Sequence, residues 1–134
     1  MLWFLVGVGG ALGSLLRFFL QMRIQASHGG YFPVGTLAVN VIGSALIGLL
    51  AGWMESKGSG GSHPMHTQLR AFLMVGILGG FTTFSSFGLE SVTLVRIGAA
   101  GMAVAYVLLT NVLGIGAAFG GFGAALALAV KLRP

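Results

Sequence analysis

Gly76-Ile77-Leu78-Gly79-Gly80-Phe81-Thr82-Thr83-Phe84-Ser85-Ser86-Phe87 lies within an uncharged stretch, 71–89. That stretch is about as long as a bilayer span requires, roughly 20 predominantly apolar residues. A helix drawn through it meets Gly79-Gly80 and then Thr82-Thr83 at its centre, and both pairs weaken helix formation. The segment therefore predicts a membrane span whose helix breaks at mid-membrane. Backbone freed by such a break is tolerated in hydrocarbon only where it lines a cavity or is covered by protein. One stretch of sequence thus predicts both a spanning element and a place where polar chemistry collects.

The rest of the chain reads the same way. Three further stretches, 1–16, 24–54 and 97–130, contain no Asp, Glu, Lys or Arg. Of the 134 residues 56% are hydrophobic and 7% charged, against about 25% charged in a soluble domain. A water-soluble fold is excluded. The expectation is an all-α integral membrane protein, one domain over 1–134, with four transmembrane helices near 2–20, 35–54, 69–89 and 97–130. The last stretch would be about 50 Å long as a helix, well over the ~30 Å of hydrocarbon, so it tilts or overhangs. A fifth span would need a turn there, for which Gly116, Gly120, Gly121 and Gly123 are the only candidates. The Gly/Ser-rich run 58–64 reads as a solvated loop. The apolar N-terminus, without a basic leader, reads as a retained span. No Cys is present, which removes thiolate chemistry and disulfides.

Pairs of glycines four apart recur on the spans: Gly9 and Gly13, Gly48 and Gly52, Gly76 and Gly80, Gly116 and Gly120. Small residues at that spacing let helix backbones approach closely, either between subunits or within one. With four spans, the second loop and the C-terminus share one side and carry Lys57, Arg70, Lys131 and Arg133. The first and third loops carry Arg17, Arg23 and Arg96. Orientation follows an excess of Lys and Arg on the cytoplasmic side, so a four-to-three tally permits insertion both ways up and antiparallel pairing of two copies. The net charge of +5 repels neither anions nor anionic lipid. The basic residues are too dispersed for a nucleic-acid face.

Polar groups within spans are the candidates for chemistry. Asn40 is the deepest on the second span; its amide suits an anion, and equally suits a neighbouring helix. Asn111 carries the same ambiguity. The hydroxyls of Thr82, Thr83, Ser85 and Ser86 extend a polar path, and freed carbonyls suit a small cation. Phe84 and Phe87, three apart, share a helix face, and the electropositive edge of an aromatic ring attracts anions, although apolar packing explains both rings as well. Arg17 reads as a snorkelling anchor or a vestibule cation that draws anions in. Glu90 reads as an interface charge or helix-end hydrogen-bond partner. His63 and His66 have no companion carboxylate or Cys for a metal site. Gly7, Gly9 and Gly10 follow no strand, so they are no nucleotide loop.

Three motifs together, Gly9-Gly10-Ala11-Leu12-Gly13 with Arg17, Gly35-Thr36-Leu37-Ala38-Val39-Asn40, and Gly79-Gly80-Phe81-Thr82-Thr83-Phe84-Ser85-Ser86-Phe87 followed by Glu90, resemble the CrcB/Fluc fluoride channels, in the same order and over nearly the whole chain. The resemblance implies a passive, fluoride-selective channel of the cell inner (plasma) membrane that protects the cell from fluoride toxicity. It implies a dual-topology, antiparallel homodimer with two pores, in which Asn40, Phe84 and Phe87 line each fluoride path. It also implies a structural sodium ion held by carbonyls of the broken helix, here Gly79 and Thr82. The chain departs from that pattern on its last span, where Ile115 and Phe119 stand at positions that carry hydroxyls in the family; Thr110 and Tyr106 are the available substitutes. No catalytic constellation is present, so the reading is not an enzyme. The rival is a small proton-coupled multidrug exporter, also a four-span antiparallel dimer; it needs a carboxylate deep in a span, whereas Glu55 and Glu90 fall at predicted span ends.

Overall fold

A computed structural model describes residues 1–57 and 64–132; the 58–63 loop, with His63, lies outside them, as does the side chain of His66. The elements of the described chain are all helical: α1 (Leu2–His28), α2 (Val34–Ser56), α3 (Pro64–Leu69), a π-helical stretch (Arg70–Leu78), α4 (Gly79–Phe81), α5 (Phe84–Arg96) and α6 (Ala100–Lys131). Four units among these are long and apolar enough to cross a membrane: Leu2–His28, Val34–Ser56, the interrupted Thr67–Arg96, and Ala100–Lys131. The four-span membrane fold is therefore the observed one.

One boundary differs from the sequence expectation. The first helix continues through Arg23 to His28 and stops at Gly29, whose left-handed backbone (φ 57°) ends the helix and returns an N–H to Gln25; a glycine adopts that conformation without penalty. The last span is one uninterrupted helix of 32 residues. Its glycine cluster makes no turn, as the single-span reading of that stretch expects, and the described residues hold four candidate spans.

The helices are held by close backbone approach. α1 packs on the π-helical stretch and α2 on α6. A Cβ at Gly9 would meet the Phe72 carbonyl at 2.6 Å, and one at Gly13 would strike that of Ile77. Gly48 and Gly52 lie as tightly against the carbonyls of Ala118 and Phe122 on α6. Three of the four glycine pairs thus serve packing within one chain. Gly116 and Gly120 have nothing within 4 Å, and they face outward. So do large apolar side chains such as Trp3, Leu15, Val112 and Phe119, the surface that lipid or a second copy covers.

The third span is broken, two residues beyond the glycine pair. Gly79–Phe81 stays helical, and the chain becomes extended at Thr82 (φ −89°, ψ 156°) and Thr83 (φ −147°, ψ 120°) before α5 begins. Just ahead of the break the winding is π-helical, with the Gly79 N–H reaching the Met74 carbonyl five residues back. π turns concentrate at functional sites.

Candidate anion path at the helix break

A break inside a membrane leaves backbone groups without partners, each costing several kcal/mol (order of magnitude) if unsatisfied. Here, three side chains from other segments and the hydroxyl of Thr83 itself meet them. The Asn40 amide Nδ2 donates to the Thr83 carbonyl at 3.0 Å, and the Thr83 N–H donates to Asn40 Oδ1 at 2.8 Å. The Thr83 hydroxyl accepts from the Ser86 N–H at 3.2 Å and so caps α5. The Gly80 carbonyl accepts from Arg17 Nε at 3.1 Å and from the Ser14 hydroxyl at 3.4 Å.

These bonds also decide which carbonyls remain available. In a continuous helix the Thr83 N–H would bond the Gly79 carbonyl and the Ser86 N–H that of Thr82. Both amides are diverted, the first to Asn40 and the second to the Thr83 hydroxyl. Gly79 and Thr82 are among the carbonyls so released, together with Gly80 and Phe81, whose helical partners would be the Phe84 and Ser85 N–H groups. Hard oxygen donors of this kind fit a small hard cation.

Two cavities flank the break. One, of about 370 Å³, is lined by Asn40, Ser44, Thr83, Phe84, Phe87 and Thr110, among others. The other, of about 440 Å³, is lined by Arg17, Gln21, Gln25, Tyr31, Ser86 and Glu90. Between them stand Thr83 and Ser86, whose hydroxyls are 3.1 Å apart. Ser85 is exposed beside this pair, its hydroxyl 3.3 Å from that of Thr83. Of the residues read from sequence, Asn40, Thr83, Phe84 and Phe87 thus converge on one cavity, and Arg17 and Ser86 on the other.

The two phenylalanines have different surroundings. Phe84 is 81% exposed, whereas Phe87 is 8% exposed and sits in a cluster with Leu94, Ala103 and Tyr106. Their ring centroids are 5.5 Å apart with planes tilted by 51°. The row continues from Phe87 to Tyr106 at 5.3 Å and from Tyr106 edge-on to Phe32 at 5.7 Å.

Beside this row runs a polar network that sequence reasoning did not assemble. Gln21 Nε2 donates to the Thr36 hydroxyl at 2.8 Å; Thr36 donates to Glu90 Oε1 at 2.7 Å, and the Tyr106 hydroxyl donates to Glu90 Oε2 at 2.7 Å. Thr36 and Tyr106 are almost wholly buried. Glu90 is therefore not at a span end: it lies inside α5, turned toward α2 and α6. Tyr106 takes up a partner on Glu90, so of the two substitutes on the last span only Thr110 lines the cavity at the break, its hydroxyl buried without a hydrogen-bond partner. Asn111 donates to Val107 on its own helix at 2.7 Å.

Fold and site together define a small four-span membrane protein that gathers amide, hydroxyl and ring-edge groups at a break in its third span. The family described as CrcB-like protein, Camphor Resistance (CrcB), matches residues 4–122, and the chain belongs to it. Among curated proteins it is 44% identical over 117 residues to the fluoride-specific ion channel FluC of Agrobacterium fabrum, covering 87% of this chain and 90% of that one. The protein of the same name from Novosphingobium aromaticivorans is 46% identical over 112 residues, 82% of this chain and 84% of its own. That of Aquifex aeolicus is 44% identical over 119 residues, 89% and 92% respectively.

Proposed function

We propose that this chain is a passive fluoride channel of the plasma membrane, which lets fluoride leave the cell and so limits its toxicity. The observation that carries the reading is the convergence of Asn40, Thr83, Phe84 and Phe87 on one cavity at the helix break, in a chain akin to proteins named for fluoride conduction. Fluoride is small and tightly hydrated, so a pore must replace its water with several donors. Asn40 has one amide N–H beyond the one given to Thr83; Thr83, Ser85 and Ser86 offer hydroxyls, and Phe84 and Phe87 offer ring edges. The residues aligned at this cavity include no lysine or arginine. Weak sites in series favour passage over retention.

The working unit is an antiparallel homodimer. A single chain leaves Phe84 81% exposed and leaves the outward glycines of α6 uncovered, and an inverted second copy brings two helix breaks to the bilayer centre. A sodium ion there takes the carbonyls of Gly79 and Thr82 and supplies positive charge that ties the breaks together. The test is efflux from liposomes that contain only the purified protein, with fluoride compared against chloride. Fast fluoride and slow chloride efflux is the expected result; equal rates, or no flux, defeat the proposal.

A further inference from the structure

One face of α1 is polar along much of its length. Ser14, Arg17, Gln21 and Gln25 follow one another at intervals of three, four and four residues, the spacing of a single helix face. Every one of them is committed to another segment. Gln25 donates to the carbonyls of Gly30 and Phe32 and accepts from the Gly35 N–H, at 3.0 to 3.1 Å. Gln21 orients Thr36. Ser14 and Arg17 both hold the Gly80 carbonyl. At the same level the α1 backbone touches the break itself, since a Cβ on Gly80 would meet the Gly10 carbonyl at 2.5 Å.

Gly80 would, in an unbroken helix, accept from the Phe84 N–H. The break removes that partner, and an arginine from another helix supplies one. Arg17 is half-buried at this point. A guanidinium is always charged, and its hydrogen bonds to a carbonyl are charge-assisted and directional. Its Nε, close to the chain, is the donor used. The carbonyl it holds lies between Gly79 and Thr82 and three residues before Thr83, so its orientation fixes where the extended turn begins.

We infer that Arg17 is a positioning residue of the conduction path, which acts by anchoring the Gly80 carbonyl and thereby setting the turn that presents Thr83 and Phe84; the inference rests on the fluoride reading above. An ion-capturing arginine and a bracing arginine differ in what their loss does. Capture raises the concentration of anion at the mouth, so its loss raises the fluoride concentration needed for half-maximal flux. A brace sets the geometry of the path, so its loss lowers the maximal flux.

Flux from liposomes is measured over a range of fluoride concentrations for the wild type, Arg17→Gln and Arg17→Lys, together with hydrogen–deuterium exchange at the 80–84 amides of each in lipid nanodiscs. Arg17→Gln is expected to lower maximal flux by roughly tenfold, the scale of one lost charge-assisted hydrogen bond, with half-saturation unmoved and exchange at 80–84 faster by a similar factor. Arg17→Lys keeps the charge but carries its nitrogen one bond beyond the position of Nε, and should follow Arg17→Gln. It also decides the matter if the glutamine variant does not fold. A raised half-saturation with maximal flux intact, a lysine variant that behaves as wild type, or unchanged exchange at 80–84 would each overturn the inference. A wild type that conducts no fluoride would instead defeat the channel reading, and the exchange result would still decide the brace.

Discussion

Asn40 and Thr83 bond each other in both directions, amide to carbonyl at 3.0 Å and N–H to amide oxygen at 2.8 Å. The side chain imitates a backbone neighbour for a residue that the helix break has stranded. Asn40→Asp keeps the acceptor and removes the donor, leaves the Thr83 carbonyl unsatisfied, and adds a charge that repels an anion. Fluoride efflux should fall by at least roughly tenfold and stability by about 1–3 kcal/mol. Asn40→Ala should lose as much stability without the repulsion. Efflux and thermal unfolding of both variants check this; an aspartate variant that conducts at the wild-type rate would remove Asn40 from the path.

Phe84 and Phe87 separate conduction from packing, because only the second is buried in the chain. Phe84→Ile should change the stability of the fold of one chain by no more than about 0.5 kcal/mol, yet strongly reduce fluoride flux. Phe87→Ala leaves a cavity against Leu94 and Tyr106 and should cost about 3 kcal/mol or more. Detergent-solution stability and liposome efflux, measured on the same preparations, test the contrast. Full flux from Phe84→Ile would mean that its ring contacts lipid or partner and not the ion.

The glycines make an equally direct contrast. A methyl at Gly13 collides with the Ile77 backbone, which cannot move aside as a side chain would, whereas one at Gly116 meets open space. Gly13→Ala should lower the yield of folded protein and cost about 2 kcal/mol, in the range of overpacking substitutions. Gly116→Ala should leave the fold of the chain intact, and Gly116→Leu should shift a dimer toward monomer on size-exclusion chromatography if α6 packs against a second copy there.

What could be read from the sequence was what is local. Gly79-Gly80 and Thr82-Thr83 announced a break within one span, and uncharged length announced four spans. The break falls at the threonines and not at the glycines: Gly80 packs against the Gly10 backbone of α1 and stays helical, while Asn40 pulls the Thr83 backbone out of register. The π-helical winding has no compositional mark. The α1 polar face is visible in its three-four-four spacing, but its partners are not: Arg17 meets a carbonyl 63 residues away, and Thr36 meets Glu90 across 54. Glu90 looked like a span-end charge only because the helix that carries it runs six residues further, to Arg96.

The placement of Arg17 changes the charge count that governs topology. Bound to Gly80 within the fold, it is not a loop charge, and the tally becomes Lys57, Arg70, Lys131 and Arg133 on one side against Arg23 and Arg96 on the other. Acidic residues contribute little to this rule, so the bias is two charges. A bias that small is open to reversal by small changes. Adding two lysines to the second loop should drive nearly all chains into one orientation, and adding four to the first loop should drive the opposite one, as reported by labelling a single introduced cysteine from either side of the membrane. If the dimer is antiparallel, each biased variant expressed alone should lose fluoride export, because copies of one orientation cannot bring their helix breaks together head to head. Co-expression of the two should restore it. A single biased variant with full export would show that a parallel dimer or a monomer suffices, and a sodium ion shared between opposed breaks would then have no place in the channel.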